Sequence, residues 1–163
     1  MGNVIGIDLG TTFSAVAHID ESGRPAIVLN DRGDNITPSC VAMHKGSLVV
    51  GEVARRTWGN DPENAASRFK RDMGTSRKYS IASKEYTPAQ LSAELLKKLK
   101  DDTEEKIGPI DEVVVTIPAN FAQDARNATM EAATLAGLNV KYIINEPTAA
   151  ALYYAFQSDG NLS

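Results

Sequence analysis

Apolar positions along the chain come first in short runs and later at helical spacing. Residues 3–9 (NVIGIDL) form a compact apolar run that breaks at Gly10-Thr11-Thr12, and Phe13 to Ile19 alternates weakly before Glu21-Ser22-Gly23-Arg24 turns the chain. Short runs bounded by turn residues predict strands. Ala26 to Leu29, Ser39 to His44 and Ser47 to Val50 extend the series, with Lys45-Gly46 as a tight turn. The first third therefore reads as an antiparallel meander. Between Gly51 and Glu85 the signals are mixed: Glu52 to Trp58 suits a helix and Asn60-Asp61-Pro62 a turn.

A different pattern starts at Thr87-Pro88-Ala89-Gln90. A Thr cap, a Pro at the first helical position and a Gln three residues after the cap predict a capping box. The helix that follows carries Leu91, Leu95, Leu99 and Ile107 on one side and ends at Gly108-Pro109. Its other side is charged, and Lys97/Asp101, Lys98/Asp102 and Lys100/Glu104 are spaced as a solvated face. Val113-Val114-Val115 then reads as a buried strand, Phe121 to Ala136 as an Ala-rich helix stopped by Gly137, and Val140 to Ile144 as a second strand. Such a unit makes the two strands parallel in one sheet. A last helix is expected from Thr148 to Phe156. Meander plus crossover predicts an α/β fold around a mixed sheet.

With 163 residues, 42% of them hydrophobic and 23% charged, the chain suits a single folded domain rather than a disordered one. No apolar run approaches the ~20 residues of a membrane span, and residues 1–10 lack the pattern of a secretory leader, which together predict a cytoplasmic protein without membrane contact. Cys40 is the single cysteine, expected to be a small buried residue, and the Asn-x-Ser/Thr matches at Asn35, Asn127 and Asn161 are then chance. A net charge of −4 argues against nucleic acid as partner. The stretch from Arg55 to Lys78 is locally basic, which suits phosphate or simply a solvated surface. Trp58 within it reads as a packing residue. His18 and His44 lie in strand-like runs without metal-ligand spacing.

The candidate chemistry sits at Asp8-Leu9-Gly10-Thr11-Thr12. An acid ends an apolar strand, a glycine lets backbone approach closely, and two hydroxyl residues follow. Successive backbone N–H groups in a tight turn hold anions, and hydroxyls add donors. An acid beside phosphate makes sense when hydrated Mg²⁺ lies between them. An ordinary hairpin with polar turn residues gives the same pattern. The chain holds neither Gly-x-x-x-x-Gly-Lys-Ser/Thr nor Gly-x-Gly-x-x-Gly.

Gly6 to Thr12 (GIDLGTT), Phe69-Lys70-Arg71, Ile117-Pro118-Ala119 and Ile143 to Leu152 (IINEPTAAAL) occur in this order. Together they resemble the seventy-kilodalton heat-shock chaperones of the DnaK type over residues 2 to about 156, and the stretch from Lys70 to Pro88 is more similar to the HscC-type bacterial branch. The resemblance implies the actin-like, ribonuclease-H-like ATPase fold: a mixed, five-stranded-type sheet with flanking helices plus a small α/β insertion. The core would span about 1–37 and 110–163, the insertion about 38–109, and the whole of 1–163 would form the first of two lobes. The second lobe, the adenosine site and the peptide-binding domain are expected outside this chain, so that the lobe alone lacks turnover.

By the same resemblance the ligands are ATP or ADP with Mg²⁺. Gly10, Thr11 and Thr12 would hold the phosphates and Asp8 would hold Mg²⁺ through its waters. Thr11 and Lys70 would serve catalysis, with Lys70 directed at the γ-phosphate, and Glu146 would orient the attacking water or a metal-bound water. Pro118 and Arg126 occupy positions that relay nucleotide state between domains. The implied partners are unfolded polypeptides, a J-domain co-chaperone and a nucleotide-exchange factor. Asn120 stands where the family usually has Tyr, Met130 where the DnaK type has Lys and Tyr142 where it has Arg, which puts the interdomain contacts in doubt. Two other readings fit the first phosphate loop: a small-molecule kinase of the same fold, which does not account for Glu146-Pro147-Thr148, and a non-catalytic lobe that binds co-chaperones.

Overall fold

A computed structural model describes residues 3–118 and 120–144; the expected helix 148–156 and Glu146 lie outside the described residues. The chain opens with strands β1 (Asn3–Asp8), β2 (Phe13–Ile19) and β3 (Pro25–Val28), then the two-residue β4 (Thr37–Pro38). Strands β5 (Cys40–His44) and β6 (Ser47–Val50) lead into helix α1 (Glu52–Asn60) and strand β7 (Ala65–Ser67). A 3-10 turn at Phe69–Asp72 precedes the hairpin β8 (Tyr79–Ile81) and β9 (Lys84–Tyr86). Helix α2 (Pro88–Ile107), strand β10 (Ile110–Thr116), helix α3 (Gln123–Leu135) and strand β11 (Val140–Ile144) complete it.

The principal sheet runs β11-β10-β1-β2-β3, with β4 attached to β2. β1 and β10 pair in parallel, Ile5 with Val113 and Ile7 with Val115, and β10 pairs in parallel with β11; β1–β2 and β2–β3 are antiparallel. This is the mixed sheet that the pattern predicts. The meander stops sooner than its pattern suggests, because β5 and β6 join β7 in a separate three-stranded sheet. The separation follows from the segment between β3 and β4. Buried Asn30 accepts the N–H groups of Arg32 and Asp34 on its carbonyl and donates its amide to Ile36 O and Thr37 Oγ1, folding the loop back so that β4 lies beside β2 rather than β3.

Helix α2 begins as its sequence prescribes. Thr87 Oγ1 accepts the Gln90 N–H and the Gln90 side chain accepts the Thr87 N–H, a pairing of about 1 kcal/mol. Leu91, Leu95, Leu96 and Leu99 are buried with Ile5, Ile7, Val113 and Val115 in one core cluster. At its far end Asn3 donates its side-chain amide to Ile107 O, and Gly108 turns the chain at φ 92° into β10.

The charged side of α2 departs from the expected solvated face at one place. Asp102 is buried, and its Oδ1 accepts from Lys98, which also reaches Asp31 Oδ2 at 2.8 Å in the loop after β3. Burial holds the Asp102 carboxyl above the usual carboxylate range. Lys97 pairs with Glu94 rather than Asp101, while Lys100 and Glu104 pair as their spacing suggests. Trp58, expected as a packing residue, is exposed at the surface with the Arg68 guanidinium 5.4 Å from its ring centroid. Cys40 is buried as expected, and burial pushes its thiol up to about 11.

The segment after the 3-10 turn touches α3 through Gly74. Gly74 has φ +81°, and a Cβ there would lie 2.5 Å from the carbonyl carbon of Asp124. Gly74→Ala is therefore expected to destabilise the fold by at least about 2 kcal/mol, since backbone rather than a movable side chain blocks the methyl. The urea midpoint measures it, and an unchanged midpoint would show that this contact carries no weight.

Candidate functional site: a cleft at the ends of strands β1 and β10

β1 and β10 carry their apolar runs through the sheet and end together, Asp8 opposite Thr116. Carboxyl ends of parallel strands are where open α/β sheets place their ligands. Asp8 is solvent-exposed, and its Oδ1 accepts from Thr116 Oγ1 at 3.1 Å, which aims the carboxylate along the sheet end. After Leu9, which is buried, the chain turns tightly from Gly10 to Thr12. A Cβ on Gly10 would collide with the Phe13 carbonyl oxygen, so only glycine closes this turn.

Three groups hold the turn from within the protein. Gly10 N–H donates to Ser14 Oγ at 3.2 Å, Ser39 Oγ donates to Gly10 O at 2.8 Å, and the Ser39 N–H donates to Thr12 O at 2.9 Å. Thr11 and Thr12 are left different. Among the described residues, neither their N–H groups nor their hydroxyls have a hydrogen-bond partner. Gly10 spends its own N–H on Ser14, so its part in the turn is the space it leaves.

Across from the turn, Lys70 stands in the 3-10 turn Phe69–Asp72. Arg68 enters that turn at φ 59°, a left-handed conformation that a non-glycine residue holds only when its surroundings impose it. Here Phe69 is fully buried, edge-on to Tyr79 at 6.4 Å and 81°. The Tyr79 hydroxyl donates to Asp72 Oδ2, Arg77 pairs with Asp72 at 3.2 Å, and the Arg77 guanidinium lies 4.6 Å from the Tyr79 ring centroid. Burial, with the Asp72 carboxylate beside it, pushes the Tyr79 phenol up to about 12. Met73 Sδ accepts from Ser92 Oγ on α2.

The result is a buried ammonium. Lys70 is 7% exposed, lies 5.8 Å from the Phe121 ring centroid, and has no carboxylate within ion-pair distance among the described residues. Burial lowers its pKa below the usual lysine value, and the Asp8 charge opposes that fall. A surface lysine is the alternative that this burial removes. Thr11, Lys70, Arg71, Pro118, Asn120 and Phe121 share one cleft of about 490 Å³. It thus gathers two cations beside Thr11, whose donors have no partner among the described residues, and the Asp8 charge acts on Lys70.

Of the residues that the sequence singles out, Thr11, Lys70 and Pro118 line this cleft, while Asp8, Gly10 and Thr12 lie on the strand end and turn that carry Thr11. Arg126 does neither; its guanidinium donates to Ile143 O at 3.3 Å and ties α3 to β11. Arg71, Thr116, Ser14 and Ser39 belong to the site and carry weak sequence signals. Thr116 is legible only once β1 and β10 are paired. The other basic residues of the 55–78 stretch are mostly engaged locally, Arg55 and Arg56 with Glu52 and Arg77 with Asp72. Among the described residues no group of three or more His, Cys, Asp or Glu side chains forms a metal cage, and no helix is long and apolar enough to cross a membrane.

Burial of an unpaired cation is costly, and a neutral isostere removes that cost. Lys70→Met is expected to raise the urea midpoint while weakening binding of Mg-pyrophosphate, read by calorimetry, at least about tenfold. A lowered midpoint with unchanged binding would mark Lys70 as a structural residue.

A family model described as Hsp70 protein matches residues 4–84 and 75–161, and so takes in the Asp8–Thr12 turn, Lys70 and both strands that frame the cleft. On that match, which spans nearly the whole sequence, the chain belongs to the Hsp70 family and carries part of that family's ATP-binding domain.

Proposed function

We propose that this chain supplies the phosphate-holding half of a site that hydrolyses ATP, within a chaperone that couples hydrolysis to binding and release of unfolded polypeptide. The observation that carries the reading is that Thr11, whose donors have no partner among the described residues, and the buried ammonium of Lys70, with no carboxylate at ion-pair distance among them, line one cleft. An anion is the ligand that meets both. The N–H groups and hydroxyls of Thr11 and Thr12 would donate to the β- and γ-phosphate oxygens, and Lys70 would offset charge as the phosphoryl group departs. Family membership supports a nucleotide polyphosphate as that anion.

The residues at the rim suit Mg²⁺ in its hydrated form. Asp8 is a single exposed carboxylate, oriented by Thr116, and Mg²⁺ typically keeps several waters while one or two carboxylates and substrate phosphates complete its shell. Bound there, the ion would neutralise phosphate charge; Asp8 would hold it through water. Glu146 is our candidate for orienting the attacking water. Pro118, at the cleft wall, and Arg126, on the α3–β11 tie, are candidates for passing nucleotide state onward. The partners in this reading are unfolded clients, a J-domain co-chaperone and a nucleotide-exchange factor. The lobe alone would bind without appreciable turnover, since a closed, water-excluding site needs a second wall. Similarity from Lys70 to Pro88 favours the HscC-type branch.

Calorimetric titration of the 163-residue chain with Mg-ADP and Mg-ATP tests this. The expected result is Mg²⁺-dependent binding in the millimolar range or tighter, with the Mg²⁺ dependence lost in Asp8→Asn. Absence of heat at millimolar nucleotide would overturn the reading for this chain.

A further inference from the structure

Ser14 and Ser39 lie in different segments, 25 residues apart, yet their hydroxyl oxygens are 2.9 Å apart and both are buried. Their hydrogens can be assigned by counting. Ser39 Oγ–H is given to Gly10 O, so that hydrogen is not available to Ser14. Ser14 must then donate to Ser39 Oγ, and its own lone pair accepts the Gly10 N–H. The bonds close on themselves: Gly10 N–H to Ser14, Ser14 to Ser39, Ser39 back to Gly10 C=O. Each hydroxyl donates once and accepts once, so the ring is fully satisfied, and such chains polarise one another.

We propose that this ring, closed by Ser39 from the segment after β4, is what holds the Gly10–Thr12 turn in its anion-receiving shape, making Ser14 and Ser39 positioning residues of the phosphate site. Ser39 grips the turn twice, at Gly10 O through its hydroxyl and at Thr12 O through its N–H. The two grips bracket Thr11. They occupy the turn's inward groups, both of Gly10's and the carbonyl of Thr12, and leave the N–H groups and hydroxyls of Thr11 and Thr12 without a partner among the described residues. Without the ring the Gly10 N–H would itself seek a partner, and the turn would lose the constraint that points the next two amides outward.

The position of Ser39 is in turn fixed from a distance. Thr37 and Pro38 pair with Ser14 and Phe13, and Asn30 holds Thr37 Oγ1 at 3.1 Å. The loop that Asn30 folds is fastened to α2 by Asp31 and Lys98. A turn at the sheet end is thereby braced against the long helix through residues that never meet a ligand.

The binding readout rests on the function proposed above, whereas the amide readout does not. Hydrogen exchange and amide shifts of the 163-residue chain, together with Mg-pyrophosphate titration, separate the two for Ser39→Ala, Ser14→Ala and the conservative Ser39→Thr. In both alanine variants the Gly10 amide is expected to exchange at least about tenfold faster while Ile5 and Ile7 keep their protection, and pyrophosphate to bind about tenfold more weakly. Ser39→Thr keeps the hydroxyl and is expected to restore both; Ser14→Ala decides the matter should the extra methyl perturb packing. Faster Gly10 exchange with no pyrophosphate binding in the unsubstituted chain would overturn the anion site and leave the ring standing as a brace. Unchanged Gly10 exchange in Ser14→Ala, or unchanged pyrophosphate affinity in both alanine variants of a chain that binds it, would overturn the positioning role.

Discussion

Everything at the cleft depends on one pairing, the parallel ladder between β1 and β10, whose partners are more than a hundred residues apart in sequence. It brings Asp8 beside Thr116, and it sets the Gly10–Thr12 turn and Pro118, Asn120 and Phe121 at one end of the sheet. The ladder is held by burial rather than by local preference. Ile5, Ile7, Val113 and Val115 are fully enclosed with Leu91, Leu95 and Leu99 of α2, so a slip of one residue would turn this whole set to the opposite face. Fidelity of register in the core thus becomes fidelity of geometry at the rim.

Against that scaffold the cleft keeps features that stability alone would not select. Lys70 is buried without a carboxylate at ion-pair distance among the described residues, and Arg68 beside it takes a left-handed conformation. The contrast with Lys98 is instructive. That lysine also leaves bulk water, but two carboxylates receive it, and with them its pKa rises, whereas burial of Lys70 lowers the pKa of that ammonium. One cation is part of the structure's own charge balance; the other has no such partner among the described residues, which is what the proposed anion would supply. Its strain is absorbed by neighbours, Phe69 against Tyr79, Tyr79 and Arg77 against Asp72, and Gly74 against α3.

Much of this could be read from the chain before any coordinates. The capping box at Thr87, the apolar β10 and the crossover to β11 follow local rules, because propensity, period and caps agree there. The Asp8-to-Thr12 turn stood out by its residue types, and Lys70 only through motif resemblance. What escaped is long-range by nature. The departure of β5 and β6 from the first sheet is decided by a single buried Asn30 that folds its loop, and asparagine in a polar loop carries no signal of that. Burial of Asp102 could not be told from its spacing with Lys98, since Asp31 approaches from another segment. Ser14 and Ser39 look like ordinary strand-edge serines, and their meeting requires β4 to lie against β2. Arg126, singled out by resemblance as a relay residue, donates to Ile143 O and ties α3 to β11.

The central claim is that the cleft between the Gly10–Thr12 turn and Lys70 receives a polyphosphate anion. A second groove of about 420 Å³, lined by Val49, Lys97 and Asp101 among others, sets its two lysines against three carboxylates and serves as the comparison site. Amide and Lys side-chain NMR shifts on titration with Mg-pyrophosphate distinguish them directly. The account predicts saturable shifts at Thr11, Thr12, Lys70 and Phe121 with Val49 and Lys97 unmoved. Shifts centred on Lys97 and Val49, or none at Thr11 and Lys70 at millimolar ligand, would contradict it.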